Sequence, residues 1–230
     1  MMQRFPEPEL MNASDQVIAY AEADFSAGDD SVMESLFKLI NHFRCALPPA
    51  SLILDLGCGP GNITERLASC WPLSDVIGLD GATSMISIAN QRLFARSPAF
   101  QNLQYQLVDL SHCCLDDLHQ IRGASLIVSN SLLHHLHDPQ ILWTSVKQLA
   151  APGALMLHRD LRRPSNESEV DALCDCYVSE APSVLQRDFR ASLKAAFTVK
   201  EVSEQLDQAG LSQFTVKEID DRYLEVCGRW

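Results

Sequence analysis

The sequence predicts an α/β fold: a doubly wound, seven-stranded, mostly parallel sheet, preceded by N-terminal helices and carrying a helical lid insert after the fifth strand. Three observations predict it. Between residues 51 and 160, short apolar runs alternate with stretches of helical periodicity, the rhythm of strand–helix–strand crossovers. The first run, "LILDLGCGPGN" (52–62), ends in a carboxylate and three glycines at two-residue spacing, the form of a strand feeding a ligand-binding turn. After Asp160 the rhythm breaks, and strand signals return only in "FTVKEI" and "YLEVCG", whose short "DD" link suits an antiparallel hairpin.

Ahead of the first strand, "SVME" (31–34) has the form of a capping box, with Ser31 as cap and Glu34 three residues on. Val32, Met33, Leu36, Phe37, Ile40 and Phe43 follow helical spacing until Pro48 and Pro49 end the helix. "LILDLG" is apolar almost throughout, as a strand covered on both faces is. Asn62 with Glu65 caps the next helix. "VIGLD" (76–80) is the second strand, and a helix runs from Ser84 to about Arg96. "LQYQLVD" (103–109) and "SLIVSN" (125–130) are the third and fourth strands. Asp138 as cap and Pro139 at the first helical position open the helix that leads into a fifth strand in "LAAPGALMLHRD". In the insert, Leu185, Phe189, Leu193 and Phe197 form the stripe of an amphipathic helix. "TVKE" (198–201) is a second capping box, and Gly210 closes its helix. The chain divides into an N-terminal helical cap (1–50), a ligand-binding core (51–160), a lid insert (161–197) and a C-terminal helix and hairpin (198–230), all one domain.

Bulk composition narrows the function. A net charge of −12, from 30 acidic against 18 basic residues, repels a polyanion on average and argues against nucleic acid as a partner. No apolar run approaches a membrane span, and "MMQRFPEPEL" lacks the apolar centre of a secretory signal, so a cytoplasmic location is expected. The eight cysteines include the adjacent Cys113 and Cys114 and the closely spaced Cys174 and Cys176; these spacings are not those of a zinc site, and reduced thiols with no metal are expected. Monomer and homodimer both stay open.

The glycine turn decides the ligand. A dinucleotide fingerprint has its third glycine one position later, where Asn62 stands. Asp55, two residues before Gly57, would meet a pyrophosphate as a second, partly desolvated anion, whereas a ligand carrying an ammonium or sulfonium gains from it. Gly57, Gly59 and Gly61 let such a ligand lie against bare backbone. Asp80 ends the second strand, 23 residues after Gly57, where a carboxylate accepts from neighbouring ribose hydroxyls.

From about Ser51 to Asp160 the sequence resembles the class I S-adenosylmethionine-dependent methyltransferases, whose first motif "LDLGCGPG" matches closely. The resemblance implies a Rossmann-like methyltransferase fold with S-adenosylmethionine (AdoMet) as cofactor and S-adenosylhomocysteine as product. It implies that the loop with Cys58 wraps the methionine part, with Asp55 receiving its amino group. It places Asp109 on the adenine amine, with Leu110 against the ring and Met85 a candidate to cover the other face, if Met85 is not simply core. Gly81 follows Asp80 in the same ribose-facing turn.

Methyl transfer is an in-line displacement that needs a nucleophile close to the methyl and a site closed to water. The loop "SNSLLHHLHDP" (129–139) borders the reacting methyl, so Ser129 and Asn130 are candidates to touch cofactor or substrate. His134 and His135 are candidate bases, because imidazole titrates near neutrality; positioning of the loop is the other reading. Tyr20, Asp24 and Phe25 are candidates to close over the cofactor, or Tyr20 and Phe25 pack the first helix. Arg162 or Arg163, in "HRDLRRP" with Arg159, is a candidate partner for a substrate carboxylate or phosphate, the alternative being a solvated surface. The expected function is methyl transfer to a small-molecule acceptor. Methylation of RNA or protein and a non-catalytic cofactor-binding regulator are the alternatives, with a nicotinamide oxidoreductase last.

Overall fold

A computed structural model of the protein describes residues 2–11, 13–96, 98–112, 118 and 121–230, all but the side chain of Ser14; Cys113 and Cys114 lie outside them. Strands β1 (Leu52–Leu56), β2 (Asp75–Asp80), β3 (Leu103–Leu107), β4 (Ala124–Asn130), β5 (Ala150–Leu161), β6 (Thr215–Glu218) and β7 (Tyr223–Arg229) join in the order β3-β2-β1-β4-β5-β7-β6. The first five run parallel, and β7 lies antiparallel between β5 and β6. The helices are α1 (Ser14–Glu22), α2 (Ser26–His42), α3 (Asn62–Cys70), α4 (Thr83–Ala95), α5 (Gln140–Leu149), α6 (Glu167–Tyr177), α7 (Ser183–Ala195) and α8 (Val199–Ala209). Among the described residues no helix is long and apolar enough to cross a membrane.

The apolar strands are explained by side chains that alternate between two covered faces. Leu54, Leu56, Ile127 and Met156 point to one face, where Trp143 of α5 and Leu206 of α8 cover them. Ile53, Leu126, Val128 and Leu155 point to the other, under Leu36 of α2 and Leu67 of α3. The strand order turns back between β1 and β4, and the crevice over their carboxyl ends is where open α/β sheets bind ligands.

Local signals fare unequally. Thr198 and Glu201 form the expected capping box at α8, and Gly210 ends that helix with φ 71°. Ser31, by contrast, is not a cap: α2 begins at Ser26, and the Ser31 hydroxyl accepts from the Arg159 guanidinium at 2.9 Å. Asn62 does not cap α3 either; its Oδ1 accepts from Arg92 (2.7 Å), while Glu65 pairs with Arg96. Strand β3 stops at Leu107, so Asp109 sits in the turn beyond it.

Candidate active site

A cavity of about 820 Å³ opens over the carboxyl ends of β1, β2 and β4, a size that suits a small-molecule site. Its floor is the glycine loop. Gly57 and Cys58 both donate to the Leu79 carbonyl of β2 (2.8 and 2.9 Å), which curls the chain back over the sheet edge. Gly57 and Gly61 have φ of 71° and 92°, and a Cβ at Gly57 would stand 2.9 Å from Leu132 Cδ1. At Gly59 a Cβ would meet no protein atom within 4 Å, so there the loop presents bare backbone to open space.

Asp55, Asp80 and Asp109 all line this cavity. Asp55 is buried, and Thr64 Oγ1 donates to its Oδ2 at 2.6 Å. Burial outweighs that bond and pushes the Asp55 carboxyl up to about 7. Asp80 accepts from the Gly59 N–H on one oxygen (2.8 Å) and the Ala82 N–H on the other (2.7 Å). Burial raises its carboxyl above the ordinary range even against those two bonds. Asp109 accepts from the Ser111 N–H (2.9 Å) and pairs with the His112 ring. Cys58, Gly81, Leu110, Asn130 and the buried Met85 share the lining, as do Tyr20, Asp24 and Phe25 of the N-terminal cap. The Tyr20 and Phe25 rings pack against each other at 4.7 Å on the cavity wall. Met85 likewise both lines the cavity and packs on Val17.

Several expected residues do not reach the cavity. Ser129 is fully buried within β4 and leaves the lining to Asn130 and Ser131. Arg162 turns to the β6–β7 hairpin, donating to the Asp221 carbonyl (3.1 Å) and standing 3.7 Å from Glu218. Arg163 is buried, donating to the Ala196 carbonyl (3.0 Å) and to Glu201 (2.6 Å). Neither arginine is among the residues that line the cavity, and both engage C-terminal elements. Arg162→Glu is therefore expected to leave the Michaelis constant of an acceptor unchanged; a tenfold rise would return that residue to the site.

Arg159, three residues before Arg162, does line the cavity. Its guanidinium is spent on Ser31, Ser35 (2.8 Å) and the buried Glu225 carboxylate (3.0 Å). Side chains alternate along β5, so Arg159 points to the α2 face and Asp160, beside His158, to the opposite one.

His134 and His135 form a short turn (Leu133–His135) and stack at 4.2 Å. His134 Nδ1 bonds the buried Asp160 carboxylate, and its backbone N–H donates to the other oxygen of that group (3.1 Å). Burial alone would lower the His134 pKa, but the Asp160 charge and bond, with Glu7 nearby, outweigh it and raise it. His135 is pushed down to about 3 by burial and by the His134 charge. His134 is thus locked into the fold, while His135 stays neutral at physiological pH. Sequence reasoning missed Glu7 and Asp160. Asp160 carried the same signal as Asp80, a carboxylate at a strand tip; Glu7, in "FPEPE", carried none.

The methyltransferase-domain family model matches residues 54–156, from β1 into β5. Among curated proteins, a trans-aconitate 2-methyltransferase of Variovorax paradoxus is 31% identical over 140 residues, covering 60% of this chain and 49% of the relative. A malonyl-[acyl-carrier protein] O-methyltransferase of Bacillus cytotoxicus is 31% identical over 139 residues, covering 55% and 45%. The chain spans about half the length of the curated relatives it matches. Among solved structures, the plantazolicin methyltransferase BpumL in complex with a pentazolic desmethylPZN analog and SAH superposes with a TM-score of 0.66 at 17% identity, over 88% of this chain and 72% of that one. An AdoMet-dependent methyltransferase from Aquifex aeolicus gives 0.64 at 15% identity, over 94% and 99%. The strand order and these superpositions give the chain the Rossmann-like fold of those methyltransferases. Over residues 54–156 the chain is similar to the methyltransferase-domain family, and the curated proteins it matches carry methyltransferase names.

Proposed function

We propose that this protein transfers the methyl group of AdoMet to an uncharged or cationic small molecule. The observation that carries the reading is one cavity bordered by the glycine loop and by Asp55, Asp80 and Asp109. The donor set fits the cofactor: bare backbone at Gly59, a carboxylate for its ammonium, another for the ribose hydroxyls, and apolar Met85 and Leu110 for the ring. Bound AdoMet supplies an electrophilic methyl on a sulfonium; the residues of this chain bind, orient and exclude water. Asn130, Ser131 and Leu132 border the acceptor side.

Charge selects the acceptor. Among the described residues ten carboxylates line the cavity against one guanidinium, and that one is held by Glu225. A tricarboxylate such as trans-aconitate, in the name of one relative, would find among the described lining residues no free cation to clamp it. The acidic surface equally disfavours RNA, and a cavity walled by N-terminal and insert helices favours a small acceptor.

Two measurements test the reading. Purified protein incubated with AdoMet and separate panels of amines, alcohols, thiols and carboxylic acids is expected to yield S-adenosylhomocysteine with the first three; turnover confined to carboxylic acids would overturn the charge argument. The second follows from Asp55. An ammonium beside this carboxyl favours its ionised form, so below about pH 7 AdoMet binding releases a proton, and affinity falls as pH drops, by up to about tenfold per unit. Calorimetry in two buffers of different ionisation enthalpy checks it. Pairing Asp55 with the ammonium predicts a release approaching one proton near pH 6; zero release would remove that pairing.

A further inference from the structure

The structure assigns a divalent metal site to Glu7, His134 and His135, a 2-His-1-carboxylate group on the wall of the same cavity. Glu7 Oε1 stands 3.4 Å from His134 Nε2 and 3.4 Å from His135 Nδ1, and the three candidate ligand atoms all lie within 4.8 Å of one another. Nitrogen and oxygen ligands about 2.0–2.2 Å from a tetrahedral zinc ion are separated by roughly 3.3–3.5 Å. The two spacings to Glu7 are therefore those of ligands around such an ion.

What surrounds the three groups points the same way. Asp160 bonds His134 Nδ1, which fixes the ring and leaves Nε2 for the cavity side; a carboxylate behind a histidine is the usual support of a metal ligand. The Pro8 carbonyl engages the His135 ring, while His135 Nδ1 is buried and has no hydrogen-bond partner. With its ring proton on Nε2, His135 aims a lone pair at a carboxylate. Ser192 Oγ donates to Glu7 Oε1 (3.0 Å) and orients that ligand. Two imidazole lone pairs and a carboxylate thus converge in a largely buried place, an arrangement that calls for a cation at its centre.

Ligand chemistry selects the ion. Two imidazoles and one carboxylate suit zinc, cobalt or iron(II) above magnesium or calcium, which prefer oxygen alone. None of the described cysteines belongs to the group. The site joins an N-terminal segment to the β4–α5 loop, and that segment is tied down by Arg4, which donates to the carbonyls of Ala195, His134 and Leu136 (2.6, 3.0 and 3.0 Å). Three protein ligands leave a coordination position facing the cavity, as in sites that bind a water or substrate atom. Resting on the methyl-transfer reading, that position receives the acceptor's oxygen or sulfur and favours its deprotonated form.

The test uses cobalt(II) as the probe on chelator-treated, full-length protein. The expected result is one ion per chain with the intense visible bands of low-coordinate cobalt and without a thiolate charge-transfer band. Glu7→Gln, which keeps the shape and the Ser192 bond, is expected to weaken binding by about 100-fold, as is His135→Ala, with each variant's melting temperature checking its fold. A spectrum that stays that of hexaaquo cobalt, a thiolate band reporting the cysteines, or unchanged affinity in both folded variants would each overturn the assignment. AdoMet calorimetry on the same samples keeps the two readings apart: cobalt bound without AdoMet heat removes the methyl-transfer reading alone, and AdoMet heat without cobalt removes the metal site alone.

Discussion

Asp80→Ala is expected to weaken AdoMet binding by about 100-fold or more while moving the melting temperature by only a few degrees. Each oxygen of Asp80 already accepts one backbone N–H, from Gly59 and from Ala82, which fixes the carboxylate at the tip of β2 and leaves lone pairs for two ribose hydroxyls. Hydrogen bonds to a charged group contribute about 1.5–3 kcal/mol each, so losing two costs roughly 3–6 kcal/mol of binding. The glycine loop also loses its tether at Gly59. The fold loses less, because the same substitution removes a carboxyl that burial disfavours in its ionised form, offsetting the two lost N–H bonds. Calorimetry with S-adenosylhomocysteine beside a thermal melt separates the two effects. Unchanged affinity in a folded variant would remove Asp80 from the cofactor site, and with it the ribose end of the proposed pose.

What the sequence discloses is what neighbours in the chain determine. The glycine turn, the carboxylates before and after it and the alternating strands are readable because backbone geometry and two-sided burial each leave a local pattern. The two capping boxes show the limit. "TVKE" caps a helix because Phe197, just before it, is held in a bridge with Arg162 and cannot continue the helix. "SVME" has the same form, yet it lies within α2, because the "SAGDD" before it is free to turn helically and does. Long-range partnerships leave no pattern at all. Arg162 and Arg163 follow the fifth strand as a substrate clamp would, and only the tertiary structure turns them to Glu218 and Glu201. Glu7 meets His134 across more than a hundred residues of chain, and nothing in "FPEPE" says so.

The second large effect is expected at Asp160. Asp160→Asn should lower the melting temperature by roughly 10 °C, since breaking one side of a buried pair costs about 3–5 kcal/mol and a domain of this size shifts by about 2–4 °C per kcal/mol. Asp160 bonds the His134 ring, accepts from the backbone N–H of His134 (3.1 Å) and of Leu161 (2.6 Å), and faces His158 at 3.6 Å. Burial alone would raise its carboxyl; the His134 charge and bond, with His158, pull it down to about 2. The signs for the pair follow. The depressed Asp160 contributes stability that is present above the unfolded carboxylate pKa near 4 and lost as pH falls through about 2. The raised His134 contributes stability that is full below the unfolded histidine pKa of about 6.5 and lost as pH rises through its elevated folded value. The pair is therefore strongest between about pH 4 and 6.5. In Asp160→Asn both limbs of the stability–pH curve should flatten, because His134 loses the charge that held its proton. The double variant with His134→Gln should cost less than the two single changes summed, since no uncompensated buried charge remains. A melting temperature within 2 °C of wild type, or pH limbs that survive the substitution, would refute the coupling. The same pair clamps the β4 loop to the tip of β5, and Leu132 in that loop braces Gly57. Loss of Asp160 should thus also loosen the glycine turn that it never touches, and cofactor affinity should fall with stability.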